Sequence, residues 1–176
     1  MQAQLPPVGK THLHIQHGFT AIELMAALAI LAILASLAAP SFTPLIERWR
    51  IRNVAEELTS TMYYARSEAI KSGGGIVIDA TNGWNQGWKV THTLSGTTKD
   101  LQTSMPPAKI GITQSNNKNK LYLDRWGVLS ETSGGAPTAL DMVIYPEGKS
   151  ATDASAIRLC ASAGRIAQVK QGAVCP

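Results

Sequence analysis

The sequence is poor in the residue types that most often perform catalysis or bind metals. Of its four histidines, three lie within residues 1–18, namely His12, His14 and His17. The fourth, His92, has no cysteine, serine or carboxylate constellation beside it, and no metal-ligand spacing or cofactor-binding loop is visible. The sequence therefore predicts a non-enzymatic protein that uses no metal, no cofactor and no small-molecule substrate.

Cysteine is also scarce. The chain has only Cys160 and Cys175, and neither lies in a CxxC motif or beside a histidine. One disulfide is the economical interpretation, and it favours an oxidising compartment such as the periplasm. A closed loop of about 15 residues stabilises a domain by at most about 3 kcal/mol in the chain-entropy model. Two reduced thiols are the alternative that the sequence leaves open.

A strong excess of charge is missing as well. The formal net charge is +4, which is too small to predict nucleic-acid binding by itself. The apolar residues, in contrast, are distributed unevenly, because residues 24–39 are nearly all Ala, Leu, Ile and Met while the remainder is polar and rich in glycine. This split predicts one membrane or filament segment and one globular domain of roughly 100 residues.

The apolar segment follows a short N-terminal stretch that lacks any periodic pattern. Residues 1–18 end in Gly18, and the run from Phe19 to Ala39 would form a helix of about 30 Å, which matches a bilayer core. Within this run an ionised Glu23 costs about 3 kcal/mol even on lenient insertion scales. If the chain is cut between Gly18 and Phe19, the new amine of one subunit can neutralise Glu23 of its neighbour, and the cost then favours assembly.

The motif Gly18-Phe19-Thr20-x-x-Glu23 before an apolar run resembles the class III signal of type IV prepilins and pseudopilins. The resemblance implies that a prepilin peptidase removes residues 1–18 and methylates the Phe19 amine, and that Glu23 directs incorporation. It also implies a single pass through the bacterial inner membrane, with a periplasmic head, before assembly into a pilus or pseudopilus. The alternatives are a plain membrane anchor and a secretory signal cut near Ser36-Leu37-Ala38, which leaves Glu23 unexplained.

Beyond the apolar segment, which we place at 19–44 with a bend at Pro40, residues 45–72 have apolar side chains at spacings of three and four. This pattern predicts an amphipathic helix that joins the head and ends at the glycine run 73–75. The apolar positions are Ile51, Val54, Leu58, Met62, Ala65 and Ala69.

Residues 73–176 alternate short β-like runs with turn residues, which predicts a mostly antiparallel β-rich head and an α+β fold. The predicted strands are Ile76–Asp79, Gly87–Thr93, Lys109–Thr113, Lys120–Asp124, Leu140–Tyr145, Ala156–Cys160 and Gly164–Lys170.

Three segments of the head resemble the GspH/FimT group of minor pilins and pseudopilins. They are the paired-tryptophan stretch 82–90, the strand and turn 123–127, and the run 157–160 followed by Gly164-Arg165. The resemblance implies a pilin-like fold, in which a long N-terminal helix packs on the head, with Trp88 in the core and Trp84 anchoring a turn. The implied function is that of a minor type IV pilin, which joins or primes a pilus together with other pilin subunits. A type II secretion pseudopilin is the alternative.

A third function within that group is DNA reception during natural transformation. The receptors carry a C-terminal Gly-Arg-x-Arg motif, and this chain has Gly164-Arg165 but Ala167 in place of the second arginine. Lys170 is a possible substitute, and Arg158 would complete a small basic patch. These three cations predict weak DNA binding at most, because each phosphate contact adds only about one unit to the salt slope.

Overall fold

The computed structural model describes residues 19–162 and 164–176, so the predicted leader and Gly18 lie outside the described residues. Within these described residues, one long helix, α1 (Ala21–Ser72), precedes nine strands and a short 3₁₀ helix at Trp84–Gln86. The strands are β1 (Ile76–Asp79), β2 (Trp88–Leu94), β3 (Thr97–Ser104), β4 (Ile110–Gln114), β5 (Lys120–Leu123), β6 (Leu129–Ser130), β7 (Leu140–Pro146), β8 (Ile157–Ser162) and β9 (Arg165–Lys170). The chain forms two compact units that divide between Phe42 and Thr43.

The described part of the first unit consists of Phe19, Thr20 and the N-terminal stretch of α1, and its large apolar side chains are exposed. Examples are Phe19 at 86%, Ile22 at 72% and Met25 at 68%. Apolar surface of this extent marks an interaction surface. Within the described residues, no helix has both the length and the apolar character that a membrane crossing requires.

In the second unit, α1 buries one stripe of side chains, and the prediction for this stripe is confirmed. All six apolar positions that the spacing selects, from Ile51 to Ala69, are at most 3% exposed. The helix ends at Ser72, where Gly73 has a φ of 78° and the Gly74 N–H donates to the Ala69 carbonyl at 2.8 Å. The helix includes Pro40 and Pro44, although an interior proline removes a helical N–H donor and crowds the carbonyl four residues earlier.

The strands form two antiparallel sheets. Sheet A has five strands in the order β3-β2-β1-β5-β6, and sheet B has four in the order β4-β7-β8-β9. Alternate residues of the central strands are buried, as the period of two requires. Ile76 and Ile78 supply the core from β1, and Leu140, Met142 and Ile144 supply it from β7. The predicted α+β fold class is confirmed.

Two buried tryptophans, Trp84 of the 3₁₀ helix and Trp88 of β2, each donate an indole hydrogen bond to another part of the second unit. Trp88, which is 2% exposed, donates from Nε1 to the Thr61 Oγ1 of α1 at 3.1 Å. Trp84, which is 4% exposed, donates from Nε1 to the Lys118 carbonyl at 2.8 Å, and the two indole rings lie 6.3 Å apart. A buried indole needs an acceptor of this kind. The predicted roles of Trp88 in the core and Trp84 as a turn anchor are confirmed.

Candidate functional site

The residues that the sequence predicts for processing and assembly lie at the start of α1. Phe19, the first described residue, is exposed and precedes the helix. Glu23 lies in the first helical turn. A carboxylate in this position interacts favourably with the positive end of the helix dipole.

Glu23 is bound within its own chain by Thr20. Its Oε2 accepts hydrogen bonds from the Thr20 backbone N–H and from Thr20 Oγ1, both at 2.9 Å, while the Glu23 N–H donates to Thr20 Oγ1 at 3.3 Å. These reciprocal contacts form a capping box, in which each side chain satisfies a backbone donor of the other residue. The Thr20-x-x-Glu23 spacing is the sequence signature of a capping box and is the signal in the sequence that predicts these contacts. Glu23 is therefore not a lone acid in the isolated chain.

The predicted disulfide is confirmed, because Cys160 and Cys175 are bonded with their Cα atoms 5.6 Å apart. Cys160 lies on β8 and is 3% exposed. The register pairs it with Asp141 of β7, on the face of sheet B opposite the buried Leu140 and Met142. The bond thus fixes the C-terminal tail against the outer face of sheet B.

Arg158, one of the three predicted DNA contacts, is neutralised by Asp141. Its Nε donates to Asp141 Oδ1 at 2.8 Å and its Nη2 donates to Oδ2, while Nη1 donates to the Ala173 carbonyl at 3.0 Å. The hydrogen bonds to Asp141, followed by the charge of that carboxylate, raise the pKa of Arg158 above its ordinary value. Bidentate pairs of this kind are geometrically specific. Arg158 therefore holds the tail and the sheet together.

The other two predicted DNA contacts, Arg165 and Lys170, lie at opposite ends of β9 and are exposed. Because they are five positions apart on a strand, their side chains leave opposite faces of sheet B. Arg158 pairs with Val169 in the register and so shares the face of Arg165. The three cations do not form one patch.

Lys170 instead lines a groove of about 660 Å³. The other basic side chains of this groove are Arg48, Arg52 and Lys149. Two acids, Glu47 and Asp153, line the same groove, and the Lys149 Nζ lies 2.8 Å from the Glu47 carboxylate. The groove is therefore of mixed charge.

Arg66 is a candidate functional residue that the sequence does not reveal. It lies on the half-buried flank of α1, and its Nη1 donates to the Gly164 carbonyl at 2.6 Å. Together with Arg165 it lines a cleft of about 230 Å³. Since Arg66 and Gly164 are 98 positions apart, no local pattern links them.

Among residues 19–162 and 164–176, no group of three or more histidine, cysteine, aspartate or glutamate side chains is placed to hold a metal ion.

Comparisons with known proteins match both parts of the chain. The family model described as Type II transport protein GspH matches residues 54–172, and the model of the prokaryotic N-terminal methylation motif matches residues 13–39. No curated protein matches the chain.

Solved structures resemble the described fold. In one crystal form, the type IV minor pilin FimU of Pseudomonas aeruginosa is 28% identical, with a TM-score of 0.56 over 68% of this chain and 88% of FimU. A second crystal form of FimU is also 28% identical, with a TM-score of 0.55 over 67% of this chain and 91% of FimU. The minor pseudopilin EpsH from the Type 2 Secretion System of Vibrio cholerae is 15% identical, with a TM-score of 0.51 over 70% of this chain and 99% of EpsH. At this identity the likeness to EpsH concerns the fold alone.

Proposed function

The chain belongs to the GspH family, whose model spans residues 54–172, and from this premise we propose that it is a minor pilin that joins or primes a type IV pilus. The observation that carries the proposal is the order of the two matches, in which a methylation motif at residues 13–39 precedes a GspH domain at residues 54–172. The likeness to FimU, at 28% identity, supports a pilus over other assemblies. A type II secretion pseudopilin is the second candidate, which the description of the family model supports.

Processing comes first in the proposed mechanism. A prepilin peptidase cuts between Gly18 and Phe19 and methylates the new amine, while the apolar run from Phe19 to Ala39 keeps the subunit in the inner membrane with its head in the periplasm. The match to the methylation motif and the composition of the run support this step. A minor pilin works by positioning other subunits, so the role is structural and non-enzymatic.

Assembly then exchanges the partner of Glu23. In the isolated chain the carboxylate accepts two hydrogen bonds from Thr20. In a filament, the cationic Phe19 amine of a neighbouring subunit would approach the same carboxylate, and an ion pair in a surrounding of low dielectric is stronger than in water. The exposed apolar side chains of the first unit would be covered by neighbouring helices in the same step.

The N-terminus of the mature protein tests the processing step. Intact-mass and N-terminal analysis of the protein from its native host should find a chain that begins at methylated Phe19. An unprocessed Met1, or a start near Ala39, would contradict the proposal, because the latter would indicate an ordinary secretory signal.

The assembly step is tested by Glu23→Val, with Glu56→Val as the matched control, since Glu56 is an exposed acid of α1 in the second unit. We expect Glu23→Val to be absent from sheared pilus fractions and Glu56→Val to be present. Equal incorporation of both variants would remove the proposed role of Glu23. A deletion strain separates the two candidate assemblies, because loss of pili with normal secretion favours the minor pilin and the reverse favours the pseudopilin.

A further inference from the structure

Basic side chains from two elements of the second unit line one groove of the head. Arg48 and Arg52 belong to α1, and Lys170 is the last residue of β9. All three are exposed, and all three line the groove of about 660 Å³. We call these three residues the groove cations and the site the basic groove.

The packing of β9 on α1 explains why Lys170 reaches this groove. Gln168 Nε2 donates to the Thr59 Oγ1 of α1 at 3.0 Å, so the side chain of Gln168 lies on the face of sheet B that meets the helix. Lys170 is two positions further along the strand and leaves the same face. Arg52 precedes Thr59 by seven positions, or about two helical turns, and so lies on the same side of α1.

The direction of β9 brings the groove cations together. The Arg66 contact with Gly164 lies just before β9, whereas the contact between Thr59 and Gln168 lies near the end of the strand. The strand therefore runs antiparallel to α1, and its last residue lies beside the earlier part of the helix in the second unit. The groove cations are thus neighbours in space, although β9 is more than 100 positions away from the two arginines in the sequence.

The two acids of the basic groove are engaged by other neighbours. The Glu47 Oε2 lies 2.8 Å from the Lys149 Nζ, and Asp153 Oδ1 accepts hydrogen bonds from the backbone N–H and the hydroxyl of Ser155. Among the described residues, no carboxylate oxygen lies within 4.0 Å of a groove cation. Like charges four positions apart on a helix, as the two arginines are, repel each other. The groove therefore favours an anionic ligand.

Exposed apolar side chains border the basic groove on α1. Leu45 is 58% exposed and Trp49 is 64% exposed. Each precedes one of the two arginines by three positions, so it is that arginine's neighbour on the helix surface. Leu45 also follows the apolar run, which ends at Ala39, by only six positions. Tryptophan is enriched where a membrane meets water, because its ring is apolar and its N–H is polar. A membrane surface therefore matches both the apolar and the basic side chains of this segment.

We propose that the basic groove binds the phosphate of an anionic phospholipid while the subunit is stored in the membrane. Guanidinium and ammonium groups form charge-assisted hydrogen bonds with phosphate oxygens, and Leu45 and Trp49 enter the boundary between headgroups and acyl chains. A volume of about 660 Å³ is sufficient for one headgroup. Duplex DNA would satisfy the cations and leave both apolar side chains in water. The identity of the occupant rests on the membrane step of the proposed function, and the contact would hold the head against the membrane before assembly.

Mixed micelles test this inference with the full chain. The protein in a zwitterionic phosphocholine detergent is titrated with dihexanoylphosphatidylglycerol, with dihexanoylphosphatidylcholine and with free glycerol phosphate. NMR follows the Nε–H signals of Arg48 and Arg52, the amide of Lys170 and the indole N–H of Trp49. We expect phosphatidylglycerol to shift these signals. Phosphatidylcholine should bind at least about tenfold more weakly, because each basic residue near an anionic surface adds about fivefold to the affinity.

Arg52→Gln is the main variant, because Arg52 is exposed and its replacement does not disturb the core. It should raise the phosphatidylglycerol concentration at half-saturation about fivefold, and Lys170→Gln should do the same. The matched controls are Arg165→Gln and Lys99→Gln, which make the same changes at exposed residues outside the groove. Both controls should leave the half-saturation concentration unchanged.

Three results would overturn the inference. One is an equal effect of the two lipids, or no effect of either on Arg52 and Lys170. Another is saturation by free glycerol phosphate at the concentration at which the lipid saturates, which would make the groove a site for a soluble anion. The third is a different macromolecule in the groove. Stronger shifts with duplex DNA would indicate a nucleic-acid site, and shifts that grow with protein concentration before lipid is added would indicate a contact between subunits.

Failure of this inference is distinguishable from failure of the proposed function. The titration needs only the apolar run in a micelle, so a negative result leaves processing at Phe19 and the assembly role of Glu23 intact. An unprocessed Met1 would refute the pilin function and leave the lipid site standing, since the apolar run would still anchor the chain. A mature chain that starts near Ala39 would remove the anchor and overturn both.

Discussion

The hydrogen bond that joins α1 to sheet A can be tested with Thr61→Val. Thr61 is 0% exposed, and its Oγ1 accepts the indole N–H of Trp88 at 3.1 Å. Valine keeps nearly the same shape but has no acceptor, so the buried Trp88 donor would lose its partner. A buried donor left unsatisfied costs about 1–3 kcal/mol, and we expect the free energy of unfolding to fall by that amount.

Urea unfolding of the full chain in detergent, followed by tryptophan fluorescence, would measure the loss. With a slope of about 2 kcal/mol per M, a loss of 2 kcal/mol lowers the midpoint by about 1 M. Thr61→Ser separates the causes, because serine keeps the acceptor and loses one methyl group, at a cost of about 1 kcal/mol. Thr103→Val, at an exposed position of β3, should change stability by no more than about 0.5 kcal/mol. A Thr61→Val variant as stable as the parent would refute the importance of this bond.

Three further predictions concern the disulfide, the capping box and the basic residues. Reduction of Cys160–Cys175 should lower the free energy of unfolding by about 3 kcal/mol, since the bond closes a loop of about 15 residues. Urea unfolding of Cys175→Ala should match that of the reduced parent. A loss below about 0.5 kcal/mol for either protein would contradict this expectation. Thr20→Ala should destabilise the start of α1 by about 1 kcal/mol and accelerate amide hydrogen exchange at residues 21–24 in micelles. Ser36→Ala, which loses a side-chain hydrogen bond to the Ile33 carbonyl, should not accelerate exchange at these residues. Equal exchange in both variants would contradict a stabilising role of the capping box. Arg158→Ala should leave retention of the protein on duplex DNA at low salt unchanged, because Asp141 already neutralises Arg158; a loss of retention as large as that of Arg165→Ala would show that it contacts phosphate.

The sequence predicts the parts of the fold that depend on periodic burial. The spacing of three and four in the second half of α1 gives its buried stripe, and seven strands lie within about two residues of the predicted segments. These elements are readable because one face of each is covered, which forces apolar residues to recur with the period of the backbone.

Strands β3 and β6 are not predicted because neither carries that pattern. β3 is an edge strand of sheet A, with seven polar residues and only Leu101 apolar, and most of its side chains are exposed. Its pairing with β2 depends on the two-residue turn at Ser95 and Gly96, both with positive φ, a geometry typical of tight hairpins. β6 has only two residues, which is too short for any periodicity.

The candidate sites divide in the same way. The Cys160–Cys175 bond is predicted because two cysteines allow a single intramolecular pairing. Glu23 is predicted to be a functional residue because an acid within an apolar run is unusual. Arg66 has no comparable signal, since its hydrogen-bond partner Gly164 lies 98 positions further along the chain. Arg165 and Lys170 project from opposite faces of sheet B because they are five positions apart on one strand. The Gly-Arg-x-Arg motif by itself does not carry this information.

The capping box at Thr20 and Glu23 bears on the reversibility of the proposed assembly. A carboxylate without any partner would make insertion into a filament a one-way event, because leaving the filament would restore the full cost of an isolated charge. Here a departing subunit recovers two hydrogen bonds from Thr20 to Glu23. The net gain per subunit is then the difference between two satisfied states, and it is smaller than the gain from pairing an isolated charge. A filament held by such exchanges would lose less free energy when a subunit leaves.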